Sequence, residues 1–100
     1  MNERRFRKYF FACLNKYRIS GMFILSEKSF KILGELLYEI LNEIYKDKDY
    51  ESAKACMILS QTFYRVSTEL STPRLFLQIA IESHIIWKDM EIWEWILKSN

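Results

Sequence analysis

Apolar positions recur at three- and four-residue steps along most of this chain, the spacing of amphipathic helices. From about Glu3 to Arg18, Phe6, Phe10, Cys13, Leu14 and Tyr17 fall on one stripe, with Arg5, Lys8 and Lys16 off it. Ser20-Gly21 punctuates the chain. The apolar run Met22-Phe23-Ile24-Leu25 then leads to Ser26, a fitting N-cap for a second helix over about Glu27 to Lys46. That helix places Phe30, Leu33, Leu37, Ile40, Leu41 and Ile44 on one face, and Glu35, Glu39, Asn42 and Glu43 elsewhere. Lys46-Asp47-Lys48-Asp49 supplies a polar turn, and Asp49 caps a third helix expected to run to about Val66 or Glu69. Its inner stripe reads Ala53, Cys56, Met57, Ser60, Phe63 and Tyr64. The small residues Ala53 and Ala55 admit a close neighbour.

Thr72-Pro73 predicts a fourth helix start, because proline at the first helical position gives up no needed hydrogen bond; this helix is expected to reach about Glu82 or Ser83. In His84 to Lys98 a break is expected near Lys88-Asp89. A short final helix follows, its first turn carrying Asp89 and Glu91. The pattern therefore predicts an all-α fold, an irregular bundle of four to five helices around a central antiparallel helical hairpin at residues 27–69. Residues 1–100 read as one domain, with a basic amphipathic helix at 1–20 and a helical core at 26–98.

Composition sharpens this picture. Half the residues are hydrophobic and 16% are aromatic, more than a core this small needs, so some apolar surface is expected to meet a partner. Two glycines and one proline argue against a sandwich or barrel. Cys13 and Cys56 have no paired spacing that would suggest zinc or a disulfide framework, and read as reduced, core-facing thiols. Residues 1–20 lack the continuous apolar stretch of a secretion signal or membrane span, which points to the cytoplasm.

The net charge of +2 conceals an asymmetry: residues 1–20 carry six Lys/Arg against one Glu, the remaining eighty nine against twelve acids. Arg4, Arg5, Arg7, Lys8, Lys16 and Arg18 thus define a basic surface beside aromatic residues, as in helices that meet an acidic protein or an anionic membrane. Nucleic acid ranks last as a partner, because the rest of the chain is not basic and has no helix-turn-helix signature.

Catalytic chemistry finds little support. His84 is the single histidine and reads as structural, since no nucleophile or carboxylate is placed beside it by sequence. Glu35, Glu39 and Glu43 share a helix face but lack the Glu-x-x-His of a bundle metal site, so they read as a solvated face. Gly21 and Gly34 cannot form a phosphate loop, and Ser60, Thr62 and Tyr64 have no adjacent base. No enzyme activity and no cofactor are expected. Trp87, Trp93 and Trp95 crowd the C-terminal end. Trp93 and Trp95 point about 200° apart on a helix, so one is expected to face outward as a contact for a protein partner.

Two stretches carry a resemblance. Lys48-Asp49-Tyr50-Glu51-Ser52-Ala53-Lys54 running into Met57-Ile58-Leu59-Ser60-Gln61-Thr62-Phe63-Tyr64, and His84-x-x-Trp87 followed by Trp93-Glu94, resemble the helical region of the set-binding-factor, or myotubularin-related, proteins and scattered cytosolic relatives. The likeness spans about residues 26–95. It implies a non-catalytic helical module tied to membrane traffic, Rab GTPase exchange and phosphoinositide metabolism. The short link from Tyr64 to Pro73 departs from that pattern, and the chain has none of the exchange, lipid-binding or phosphatase-like domains that give those proteins their activities.

The leading expectation is a non-catalytic protein-interaction module whose protein partner the sequence leaves unnamed, with a second copy of the chain also admissible. The alternative is peripheral attachment to a membrane surface through the basic first helix. On these expectations, deleting residues 1–18 abolishes lipid attachment and spares protein contact.

Overall fold

The computed structural model describes residues 3–67 and 73–99. Helix α1 spans Glu3–Ile19, α2 Glu27–Asp47 and α3 Tyr50–Ser60; a strand pair, β1 Tyr64–Val66 and β2 Arg74–Phe76, precedes the single turn of α4 at Gln78–Ile81. A 3₁₀ turn at Ile85–Lys88 and helix α5 at Met90–Lys98 complete the order. The molecule is largely all-α, with the α2–α3 hairpin at its centre.

The predicted caps form. Ser26 accepts a hydrogen bond from the Ser29 amide, Asp49 from Ser52 and Asp89 from Glu91, each satisfying an amide left unpaired at a helix start. Gly21 turns the chain at φ 81°, and Lys48 ends α2 at φ 53° with its amide reaching back to the Ile44 and Tyr45 carbonyls. That left-handed residue folds α3 back against α2. Leu37, Leu41, Ile44, Ala53, Cys56 and Ile86 are essentially inaccessible. Burial of each large aliphatic side chain is worth about 1.5–3 kcal/mol.

Three expectations need correction. The third helix stops at Ser60, well short of Val66. The Ser60 and Thr62 hydroxyls donate to the Met57 and Ile58 carbonyls. Phe63 then enters the core, and Tyr64, Arg65 and Val66 pair antiparallel with Phe76, Leu75 and Arg74. Pro73 begins no helix: its carbonyl accepts from the Ser67 amide just ahead of β2, a place at a strand's start that tolerates a residue without a donor. Thr72 and Glu69 lie outside the described residues, and the fourth helix is a single turn starting only at Gln78.

The Phe23–Leu25 run docks on the same ladder. The Tyr64 amide donates to the Phe23 carbonyl and the Leu25 amide to the Tyr64 carbonyl, while the Phe23, Tyr64 and Phe76 rings cluster.

The third correction concerns α1. Only part of its expected stripe faces the core: Phe10 and Leu14 pack against it, but Phe6 and Tyr17 are 47% and 52% exposed, whereas Arg7 and Phe11, off that stripe, are buried. Arg7, Phe10, Phe11 and Leu14 form the inward set. Arg4 donates to the Asp47 carbonyl near the start of α3, and the chain beyond α1 bonds to Tyr64 past the end of α3. Helices α1 and α3 therefore run the same way, with α2 antiparallel to both.

Candidate functional site

Arg7 fixes the geometry around which a groove forms. Its guanidinium donates to Asp49 Oδ2 at 3.0 Å and Asp47 Oδ2 at 2.8 Å, clamping α1 onto the α2–α3 turn. Burial alone would push the Asp49 carboxyl up, but the Ser52 hydroxyl and Arg7 outweigh it and hold the group below the ordinary carboxylate range. For Arg7 too, burial opposes the charge, and the two carboxylates reverse the balance and raise its pKa. Arg7 thus belongs to the interior and not to the basic surface where the sequence placed it. The signal was present: positions 7, 10, 11 and 14 satisfy helical spacing, with a cation as one member.

Beside this clamp a groove of about 750 Å³ opens between α1 and α3. Phe11 and Leu59 lie in it and are almost fully buried, so they form its floor, while Ala12 and Ala55 keep its middle wide. Arg4, Lys8 and Arg18 line it from α1 and Lys48 from the hairpin turn. Trp95 reaches it from α5, its ring centroid 6.0 Å from that of Tyr50. Two acids also line the groove: Asp49, already paired with Arg7, and the exposed Glu51. The balance is cationic, over an apolar floor.

The sequence-derived candidates therefore divide. Arg4, Lys8, Arg18 and Trp95 come together, joining the basic start of the chain to its tryptophan-rich end. Arg5 and Lys16 are exposed but do not line the groove. Trp87 and Trp93 pack on each other at 6.1 Å and line a separate cavity of about 220 Å³ with Met57, Gln61, Gln78 and Glu82. Their indole N–H groups donate to the Ile81 and Trp87 carbonyls. Trp93 and Trp95 do face different ways, Trp93 onto Trp87 and Trp95 into the groove, but both are half-buried, because α5 packs against α3 and the 3₁₀ turn. Sequence reading missed Tyr50 and Lys48 as groove residues, since nothing local marks a residue that meets α1 and α5 only after folding.

His84 is buried and committed. The Ile86 amide donates to its Nδ1, leaving Nε2 to donate to Asn42 Oδ1 at 2.7 Å. Tyr38 and Tyr45 pack edge-on to the ring, and burial holds its pKa below the ordinary value. Glu35, Glu39 and Glu43 are exposed on α2. Among the described residues, no group of three His, Cys, Asp or Glu could hold a metal ion, and no helix is long and apolar enough to cross a membrane.

No family model, curated protein or solved structure matches the chain.

Proposed function

We propose that this chain is a non-catalytic helical protein-interaction module, working in the cytoplasm alongside membrane-trafficking regulators, and that the α1–α3 groove is its contact surface. The observation that carries the contact is the meeting of cations from α1 with Trp95 over the Phe11–Leu59 floor. Such a combination suits a protein ligand: tryptophan and arginine anchors in concave, partly desolvated surroundings supply most of the energy at protein interfaces. The link to trafficking rests on the likeness of residues 48–64 and 84–94 to the set-binding-factor region. Several of those residues have packing roles here: Asp49 in the Arg7 clamp, Phe63 in the core, His84 as a cap and Trp87 against Trp93.

The test is capture from the source cell with the intact chain, Trp95→Ala and Arg5→Glu as baits, each checked for helical content. Loss of the captured protein from Trp95→Ala and retention by Arg5→Glu is expected. Equal recovery by folded Trp95→Ala would remove the groove from the contact.

One observation favours a second reading, attachment to an anionic membrane surface. Phe6, Tyr9 and Tyr17 are exposed on the outer side of α1, with Arg5 and Lys16 also exposed nearby, the arrangement of helices that lie in a bilayer interface. Here co-sedimentation with phosphatidylserine vesicles should fall steeply with salt and be lost in Tyr9→Glu. Binding that ignores both changes would exclude it.

A further inference from the structure

We propose that the groove between α1 and α3 receives an acidic, amphipathic helical segment of the partner, its apolar side chains over Phe11 and Leu59 and its carboxylates on the flanking cations. This rests on the interaction-module reading and adds the chemistry of the occupant.

Length comes first. Arg4 and Arg18 mark the two ends of the α1 wall, and fourteen residues of helix rise about 21 Å, or four turns of a docked helix. Packed helices lie about 8–10 Å apart, and Ala12 on the α1 wall and Ala55 on the α3 wall are small side chains that leave space in the groove. Charge comes second. Arg4, Lys8, Arg18 and Lys48 line the groove against Glu51 and Asp49, of which Asp49 is already held by Arg7 and Ser52, while Lys48 stands 3.9 Å from the exposed Glu91 just outside it, so the excess is cationic and is carried from α1. An acidic segment relieves the mutual repulsion of these cations and is steered toward them. The floor comes third. Phe11 and Leu59 call for aliphatic or aromatic side chains on the inward face of the segment, and Trp95 beside Tyr50 closes the end next to Lys48 with a ring against which an anchor can pack.

A membrane does not fit this site. The floor is recessed between two helices, beyond the reach of a flat surface. Of the residues that would enter a bilayer, Phe6 and Tyr17 lie roughly 160–180° and Tyr9 about 100° around α1 from Lys8. A bilayer meeting them leaves the groove open on the other side.

The experiment uses the full chain and a fluorescein-labelled helical peptide of about 18 residues, with leucine at positions i, i+3, i+4 and i+7 and glutamate elsewhere. A peptide with lysine in place of glutamate is the control. Expected are saturable anisotropy with the acidic peptide, none with the basic one, and a weakening on added salt. Lys8→Glu should lower the affinity by at least about tenfold, while Arg5→Glu, on the same helix but off the groove, leaves it unchanged. Both variants change exposed residues, and circular dichroism verifies that each is folded. Trp95→Phe, which keeps a ring in place, provides a second reading of the same site and should weaken binding less than Lys8→Glu.

Absence of saturable binding overturns the proposal, as does equal binding by Lys8→Glu and Arg5→Glu. So does Lys8-dependent sedimentation with phosphatidylserine vesicles when the peptide does not bind. If the acidic peptide fails while cellular capture still depends on Trp95, this inference falls and the interaction-module reading stands. Failure of both removes both.

Discussion

An arginine with 2% of its surface exposed is the residue on which the position of α1 turns. Arg7 satisfies two carboxylates forty and forty-two residues away in sequence. Removing one partner of a buried pair costs far more than the pair contributes, because the remaining charge stays desolvated. Arg7→Met should therefore lower the unfolding free energy by about 3–5 kcal/mol in urea titrations, and adding Asp49→Asn should recover part of that loss. A change below about 1 kcal/mol would show that the pair is solvated as surface pairs are. His84 gives the pH dependence. Burial places its folded pKa below the unfolded value of 6.5, so below that pH the unfolded chain takes up a proton that the folded chain resists. Its contribution is present above about pH 6.5 and is lost as pH falls through the interval down to the folded pKa. The thermal midpoint should decline over that interval, and His84→Gln should remove the decline. As the single histidine with no catalytic partner beside it in sequence, His84 reads as structural, but the sequence cannot supply Asn42, its partner forty-two positions away.

At the scale of elements, the sequence was most informative where a cap and a long apolar period agreed. Ser26, Asp49 and Asp89 mark true helix starts, and α2 and α5 lie close to their expected bounds. The failure at residues 61–67 and 73–77 has a physical source. Phe63 and Tyr64 continue the helical spacing of Cys56 and Met57, and a period of 3.6 cannot be told from a three-residue strand at its edge. The strand wins because β2 and the Phe23–Leu25 run offer its backbone partners that no local pattern announces. Gly34 records another such encounter: a Cβ built there would stand 2.7 Å from the Cβ of Ala80. Glycine therefore lets α4 approach α2. Gly34→Ala gains about 1 kcal/mol of helix propensity yet must push α4 away, at about 1–3 kcal/mol. The variant should be less stable in denaturant titrations, and Ala80→Gly in the same chain should restore much of the loss. If the double variant is no more stable than Gly34→Ala alone, the contact is not what limits the site.

At the scale of the whole molecule, sequence reading found two unusual ends and kept them apart. Folding joins them through one tryptophan, since Trp95 lies beside Tyr50 at the groove while Trp87 and Trp93 pair elsewhere. The six cations divided in the same way, one becoming interior, three lining the groove and two remaining outside it. Helical spacing assigns a residue to a face of its own helix, and only tertiary packing decides what that face meets. For this reason a deletion of residues 1–18 cannot separate membrane attachment from protein contact. It would remove Phe11 from the core, strip Asp49 of Arg7 and erase one wall of the groove.

That wall is a helix held down by a clamp, which makes occupancy and docking one thermodynamic cycle. Whatever binds only the assembled groove draws the undocked population back, adding about 2.7 kcal/mol of apparent stability at a ligand concentration a hundred times its Kd. Weakening the clamp, conversely, lowers apparent affinity by the fraction of molecules in which α1 has left its place.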